Sequence, residues 1–261
     1  MDRSSAVRAT SVKRKLADNL TKARESIAIA AAKVGRDPSE IKLVAVTKSV
    51  GLDVIRALVE LGQCDLGESR VQQLVQRAGM LNEQLSRRAM LEGGGSVSVN
   101  WHMIGHLQRN KIKPVLPVAA MIHSVDTLRL AEDLNSQAGK TGKRQDILIQ
   151  VDCAGETQKY GMPIAAVGHF IEQILPLSNL RICGLMAMAP LANDGECSRL
   201  VFDRLYEVFL EVKLAYRMGQ EFQHLSMGMS QDFMVAVECG ATMLRLGTTL
   251  FEGIETQVDD G

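Results

Sequence analysis

The chain has 261 residues, 46% of them hydrophobic, and its 30 basic side chains balance 30 acidic ones. A net charge of zero gives no electrostatic case for binding nucleic acid or an anionic membrane surface. No apolar run approaches the roughly 18–20 residues that a membrane-spanning helix needs, and the basic start of the chain lacks the apolar segment of a secretory signal. Five scattered cysteines without a CxxC pair favour reduced thiols, a cytoplasmic location and no zinc site.

The first predicted element is a helix over residues 12–34. Apolar residues recur there at three- and four-residue steps, from Leu16 to Val34, and form one apolar face. Gly35 is placed to end this helix, and Asp37-Pro38 is placed to turn the chain. We therefore expect residues 1–40 to form a helical segment that packs on a domain formed by residues 41–261.

From residue 41 onward, strands and helices alternate eight times. The predicted strands are short and apolar without clean alternation, which is typical of parallel strands covered on both faces. They span 41–48, 65–69, 100–105, 121–125, 146–152, 181–188, 224–228 and 243–247. The predicted helices span 51–62, 70–90, 111–118, a segment from 126, 163–175, 197–218 and 232–239, and the Gly/Ser segment 93–98 is predicted to be a surface loop.

Eight such units in about 210 residues predict an α/β fold, a single (β/α)8 TIM barrel with an extra N-terminal helix. A doubly wound open sheet is the alternative. The barrel is preferred because the strand count is eight and no GxGxxG follows the first strand.

Lys48 follows the first predicted strand, within the stretch IKLVAVTKSV at 41–50. An ammonium held at the end of a buried strand loses hydration, which favours the neutral and nucleophilic amine. The alternative is a lysine whose ammonium simply reaches solvent beyond the strand.

Two late segments pair glycine with hydroxyl side chains at predicted strand ends. In a (β/α)8 barrel, the loops after strands seven and eight often bind phosphate. The two segments are Ser226-Met227-Gly228-Met229-Ser230 and Gly247-Thr248-Thr249. Plain capping turns are the alternative for each segment. Placed opposite a strand-end lysine, the two segments together indicate a ligand with a carbonyl and a phosphate, and pyridoxal 5′-phosphate (PLP) carries both.

Two further polar residues lie within predicted buried strands, where each needs a partner. Arg245 precedes Gly247 by two residues, and its partner is either a carboxylate of the barrel or the pyridine nitrogen of PLP. His102 follows the single tryptophan, Trp101, and is either a satisfied core histidine or a ring that stacks near the cofactor.

A set of segments, found in order over nearly everything after residue 40, resembles the pyridoxal phosphate homeostasis proteins, a family of PLP-binding proteins. The longer segments are LVAVTK (43–48), WHMIGHLQRNK (101–111), HSVD (123–126), GLM (184–186) and LSMGMSQD (225–232). The single matching positions include Gly67, Glu68, Val71, Gln72, Glu156, Lys159, Gly161, Gly240, Thr242, Arg245, Gly247 and Phe251.

The resemblance implies the fold of the alanine racemase N-terminal domain and PLP held as a Schiff base on Lys48. It also implies that Ser230, Gly247 and Thr248 hold the phosphate and that Arg245 faces the pyridine nitrogen. Ser69 stands where the family usually has asparagine, so a contact between Ser69 and the ligand is an expectation that this departure puts in question.

The predicted function is PLP binding in PLP homeostasis, as a cofactor carrier or regulator with little or no catalysis. Racemisation needs a second proton donor on the other face of the ring, and we expect no further domain to supply one because the sequence ends fourteen residues after Gly247. An arginine at the pyridine nitrogen also weakens the electron sink that carbanion chemistry requires. The expected partners are PLP and, as recipients, PLP-dependent apo-enzymes, and the expected state is a monomer.

Two alternatives stay open. One is a monomeric PLP-dependent amino-acid racemase of low activity. The other is an unrelated barrel enzyme that uses a lysine Schiff base for aldol chemistry and has no need of Arg245.

Overall fold

The computed structural model describes residues 3–92, 97–155, 160–190 and 195–255. Most of the predicted Gly/Ser loop (93–96) and the family-matched positions Glu156 and Lys159 lie outside the described residues. Within the described part of the chain, no helix combines the length and the apolar character needed to cross a bilayer.

Eight parallel strands form a closed ring in the described residues, which confirms the predicted (β/α)8 TIM barrel. Neighbouring strands pair in chain order, the last strand returns to the first, and the fourth pairs with the fifth. The ring consists of β1 (Lys42–Val46), β2 (Asp65–Glu68), β3 (Asn100–Met103), β4 (Ala119–Val125), β5 (Gln145–Asp152), β7 (Leu180–Met186), β8 (His224–Ser226) and β9 (Met243–Leu246). The two-residue strand β6 (Met162–Pro163) pairs with β5 outside this ring and was not predicted.

The helices cover the outside of the ring. The long first helix begins earlier than predicted, packs against α2 and α8, and is fastened by Asn19, whose buried amide donates to the carbonyls of Leu250 and Glu252 at 3.0 Å each. The helices are α1 (Arg3–Lys33), α2 (Leu52–Glu60), α3 (Val71–Glu92), α4 (Ile112–Val115), α5 (Leu128–Lys140), α6 (Val167–Ile174), α7 (Gly195–Ala215) and α8 (Phe233–Glu238).

The buried apolar residues form two clusters. The larger one lies between the strands and the surrounding helices, as expected where both faces of a parallel sheet are covered. The smaller one fills part of the barrel interior and consists of Met121, Leu148, Cys183, Met186 and Met243. The interior is therefore a packed core, and the polar side chains within it need partners among themselves.

The carboxyl ends of the strands meet at one rim of the barrel, where (β/α)8 barrels place their sites. Strand β1 ends at Val46, earlier than predicted, because the chain turns after Thr47 and the amide of Val50 donates to the Thr47 carbonyl at 3.1 Å. The ends of β2 and β3 approach closely, since a Cβ on Gly105 would lie 2.1 Å from the carbonyl oxygen of Ser69.

Candidate functional site

Lys48 lies at this rim, in the turn that follows β1. The residue is exposed, whereas the preceding Thr47 is completely buried. The expectation that a buried strand end strips hydration from the Lys48 ammonium is therefore wrong. Its backbone is fixed by its buried neighbour, and its side chain is left free to reach a ligand.

The position of Lys48 is set by a buried group of three residues, which we name the strand-end clamp: Thr47, Glu68 and Arg77. The Thr47 hydroxyl donates to Glu68 Oε1 at 2.5 Å, and the Arg77 guanidinium donates to the Thr47 carbonyl at 2.7 Å and pairs with the Glu68 carboxylate. The Thr47 amide also donates to the Gly67 carbonyl at 3.0 Å. The peptide groups on the two sides of Thr47 are thus each held by one hydrogen bond.

The clamp is charged and lies between the barrel and α3. The side chains of Glu68 and Arg77 are 0% and 7% exposed. Burial raises the pKa of the Glu68 carboxyl even though Thr47 and Arg77 both act to lower it. Sequence reasoning used Glu68 only as a family match; the available signal was a carboxylate at a buried strand end with an arginine on the following helix.

The loops after β8 and β9, which are predicted to bind an anion, converge on Ser230. The backbone amides of Gly247 and Thr249 both donate to Ser230 Oγ, each at 3.2 Å. Amides aimed at one point in this way make a site for an anion without any net positive charge. The structure brings together Ser230, Gly247 and Thr249, all of which lie in the two predicted segments, and their part in binding an anion stays a prediction.

The remaining predicted residues of these loops have distinct placements. Gly228 is buried with φ = 90°, a conformation suited to glycine, and a Cβ there would lie 2.5 Å from Ala236 Cβ. The Met229 amide donates to Asp232 Oδ1 at 2.6 Å, which fixes the start of the loop. Thr248 is exposed. The parts that Thr248 and Met229 take in ligand binding stay predictions.

The anion loops lie beside the end of the strand that carries Lys48. Strand β9 pairs with β1 so that Leu246 lies opposite Ala45. A Cβ on Gly247 would consequently lie 3.5 Å from the Val46 carbonyl oxygen. The turn that carries Lys48 and the loop that begins at Gly247 thus follow neighbouring strands at the same rim.

Arg245 points into the barrel and is 4% exposed. Its Nη1 donates to Ser226 Oγ at 2.6 Å and its Nη2 to the Ala187 carbonyl at 3.0 Å. Burial lowers the pKa of the Arg245 guanidinium to about 10, so it remains a cation at neutral pH. Among the described residues, no carboxylate lies within ion-pair distance of Arg245, which removes the barrel salt bridge as an account of its burial there.

His102 is linked to Arg245 through a row of hydrogen-bonded side chains, which we name the barrel chain: Asp65, His102, His123, Ser226 and Arg245. The ring nitrogens of His102 lie 3.0 Å from Asp65 Oδ1 and 2.9 Å from His123 Nε2. The second nitrogen of His123 lies 2.9 Å from Ser226 Oγ. His102 thus has the environment of a satisfied core histidine, one of its two alternatives, and its contact with a cofactor stays a prediction.

Sequence reasoning missed His123 as a site residue and placed Ser226 only at the start of a candidate anion segment. Each is a polar residue in a buried strand and therefore signalled the need for a partner. Ser69 lies at the rim, half-buried, with its carbonyl against Gly105. Nearby loops bring the rings of His106 and Tyr160 into a parallel stack with 3.8 Å between centroids.

The residues at the rim fit PLP. An exposed amine on a fixed backbone suits an aldehyde, two converging amides suit a phosphate, and a buried guanidinium suits an unprotonated pyridine nitrogen. These three features lie on the adjacent strands β1, β8 and β9, and the chemistry of each donor matches one functional group of the cofactor.

Comparison with known proteins gives a consistent result. The family described as alanine racemase, N-terminal domain, matches residues 19–254. A pyridoxal phosphate homeostasis protein of Aquifex aeolicus is 35% identical over 234 residues, which cover 90% of this chain and 96% of the relative.

Two solved structures have closely similar folds. A structure described as an unknown protein from Bifidobacterium adolescentis has a TM-score of 0.85 and 29% identity, and the match covers 96% of this chain and 97% of that one. PipY of Synechococcus elongatus, solved with PLP bound, has a TM-score of 0.74 and 30% identity, covering 90% and 99% of the two chains.

Proposed function

Since this chain belongs to the family of pyridoxal phosphate homeostasis proteins, we propose that it binds PLP and acts in PLP homeostasis as a carrier or regulator of the cofactor. The observation that carries the proposal is the convergence of the Gly247 and Thr249 amides on Ser230 beside the strand end that presents Lys48. That arrangement provides hydrogen-bond donors for a phosphate and an amine for an aldehyde within one small site.

Each group has a separate task in this proposal. Lys48 forms the Schiff base with PLP. Ser230, Gly247 and the following threonines hold the phosphate, while Arg245 donates to the pyridine nitrogen. Gly228 and Met229 shape the loop that carries Ser230, and Ser69 and His102 complete the residues proposed to lie around the cofactor.

We propose that catalysis is weak or absent, because a cation fixed at the pyridine nitrogen disfavours protonation of the ring and so weakens the electron sink. We further propose a cytoplasmic monomer that delivers PLP to PLP-dependent apo-enzymes. In this proposal residues 1–40 are a helical segment packed on the PLP-binding barrel of residues 41–261.

A racemase of low activity is the second candidate, and one observation favours it. Tyr160 stacks on His106 in loops at the rim, and 59% of Tyr160 is exposed. A tyrosine there is a candidate for the second proton donor that racemisation needs. An assay of alanine and serine racemisation decides between the candidates: turnover that disappears in Tyr160→Phe supports the racemase, and no turnover supports the carrier.

The proposed function is tested by adding PLP to the purified protein, recording its visible absorption, reducing with borohydride and mapping the modified peptide by mass spectrometry. We expect a yellow chromophore and one modified residue, Lys48. The Lys48→Ala variant should lose covalent PLP yet keep its thermal unfolding profile, because its exposed side chain contributes little to stability.

The matched control is Lys113→Ala, which removes another exposed lysine and should load PLP like the wild type. Absence of a chromophore in the wild type, or reduction onto other lysines in equal yield, would contradict the proposal.

A further inference from the structure

Five polar side chains cross the barrel interior without a break. The barrel chain begins at Asp65, at the amino-terminal end of β2, and ends at Arg245, next to the anion loops. Its three middle members are almost fully buried: His102 is 2% exposed, and His123 and Ser226 are both 0% exposed. Buried polar groups inside an apolar core destabilise the fold unless each of them has a hydrogen-bond partner.

The hydrogen positions of the chain follow from its two ends. The Asp65 carboxylate accepts, so a neutral His102 carries its hydrogen on Nε2 and accepts at Nδ1. His123 therefore donates from Nε2 and accepts at Nδ1, which takes the hydroxyl hydrogen of Ser226. The Ser226 oxygen is left to accept from Arg245 Nη1. Every donor meets one acceptor, and all the hydrogen bonds run in one direction.

Burial and the charges around the chain support a neutral His123 in its middle. Burial lowers the pKa of His123 well below its ordinary value, and the charges of Arg245 and Lys42 lower it further. Asp65 is 21% exposed and accepts from Lys42 at 3.2 Å and from Asn100 at 3.3 Å. Burial raises the pKa of Asp65, but the hydrogen bond of His102 and the charge of Lys42 together bring it below its ordinary value.

If His123 instead pointed a hydrogen at Ser226, the alignment would fail. His102 would then need hydrogens on both nitrogens, because it faces Asp65 on one side and a His123 acceptor on the other. The hydroxyl hydrogen of Ser226 would lose its acceptor, since Arg245 offers only donors. The one-way arrangement therefore presents Arg245 with an oxygen whose own hydrogen points away from the guanidinium.

We propose that His123 and Ser226 are positioning residues that hold the Arg245 guanidinium against the pyridine nitrogen of PLP, and that His102 and Asp65 extend this support to the opposite end of the barrel. This inference rests on the proposed function. The Ala187 carbonyl holds one nitrogen of Arg245, and Ser226 holds the other. Loss of the second support lets the guanidinium turn away from the ring nitrogen.

The first test needs no cofactor. Nitrogen-15 NMR of the histidine rings at pH 7 should show His102 and His123 neutral, each with its hydrogen on Nε2. A hydrogen on Nδ1 of His123, or a charged His102, would overturn the proposed direction of the chain.

The second test measures the pH at which the ring nitrogen of bound, nitrogen-15-labelled PLP takes a proton. A guanidinium that leaves the nitrogen removes a repulsive charge, so this pH should rise by about one to two units in Ser226→Ala, the range expected for one hydrogen bond to a charged group. The rise should shrink along the chain, from Ser226→Ala to His123→Phe, then His102→Phe and Asp65→Asn. Ser226→Thr keeps the hydroxyl and should restore the wild-type value.

The matched control is His224→Gln. His224 is a partly buried histidine on β8 whose Nδ1 has no hydrogen-bond partner among the described residues. Its replacement should leave the ring-nitrogen titration unchanged. Urea unfolding of each variant shows that the fold is retained, and His123→Asn replaces His123→Phe if the latter does not fold.

The outcomes separate the two proposals. If the wild type loads PLP on Lys48 but Ser226→Ala and His123→Phe titrate like the wild type and His224→Gln, the positioning role is wrong and the proposed function stands. If the wild type takes up no PLP, the proposed function fails and the role toward the ring fails with it.

Discussion

The strand-end clamp and the barrel chain are both buried polar networks, yet they place charge differently. In the clamp, Glu68 and Arg77 bring two charges together at the centre, with almost no exposure. In the barrel chain, neutral groups fill the middle, and the charges of Asp65 and Arg245 stand at opposite ends.

This difference shows how burial is matched to the task of each network. The clamp has to hold the backbone at Thr47 in place. A close ion pair that also accepts the Thr47 hydroxyl does so, even though burial raises the pKa of Glu68. The barrel chain has to keep one cation available at the site, so that charge is supported by neutral partners. A carboxylate paired directly with Arg245 would compete with a ligand for the guanidinium.

The largest effect is expected from breaking the clamp. Arg77→Met leaves the Glu68 carboxylate buried without its charge partner, which should lower the free energy of unfolding by about 3–5 kcal/mol. Urea unfolding at pH 7 measures this loss. The double variant with Glu68→Leu should recover most of it, and a loss below about 1 kcal/mol in the single variant would show that the pair is not what holds this region.

A smaller effect is expected from Thr47→Val, which keeps the shape of the side chain and removes its hydroxyl. The Thr47 hydroxyl donates to a charged oxygen at 2.5 Å, and such a bond contributes about 1.5–3 kcal/mol. The same variant should load less PLP onto Lys48, because the peptide that leads to Lys48 is less well held. Thr47→Ser is the control, and a variant equal to wild type in both stability and loading would argue against the clamp.

The interior histidines predict an acid dependence of stability. Burial, aided by the charges of Lys42 and His102, lowers the pKa of His224 to about 4. The unfolded chain takes up this proton near pH 6.5, whereas the folded protein remains neutral until about pH 4. Stability therefore falls as the pH falls from 6.5 to 4.

Comparison of His224→Gln with the wild type isolates this contribution. After allowance for the partial exposure of His224, it should be about 1 kcal/mol between pH 7 and pH 4, read from the urea midpoints. The variant should be the less acid-sensitive of the two proteins. A greater acid sensitivity in the variant would contradict the prediction that His224 destabilises the folded protein as the pH falls.

The smallest effect is expected at an exposed ion pair on α3, which serves as a comparison for the buried pair of Arg77 and Glu68. Arg87 and Glu83 lie 2.6 Å apart on α3, with 74% and 63% of their side chains exposed. Arg87→Ala should change the free energy of unfolding by less than about 0.5 kcal/mol. A change as large as that of Arg77→Met would mean that distance, and not burial, decides the contribution of these pairs.

The fold was predictable because its signals are local and repeated. Short apolar runs bounded by helical patterns indicate parallel strands, and their number indicated the barrel. The two-residue β6 has no such pattern, and the end of β1 at Val46 depends on contacts of Thr47 with β2 that lie outside the strand itself.

The sequence located the candidate residues Lys48, Ser230 and Gly247 at the carboxyl ends of strands, and their roles toward a ligand stay predictions. The contacts among candidate residues were not predictable where geometry decides them. The turn after β9, for example, directs the amide of Thr249 to Ser230 Oγ. Likewise, the pairing of His123 with Ser226 joins residues 103 positions apart.

The placement of charge at the two ends of the barrel chain has a further consequence. The Asp65 carboxylate at one end accepts from Lys42 at 3.2 Å, whereas the Arg245 guanidinium at the other end has only neutral hydrogen-bond partners among the described residues. The positive end faces the rim with the anion loops. A protein with no net charge thereby carries a local positive charge near one mouth of the barrel, and such a charge attracts a phosphorylated molecule.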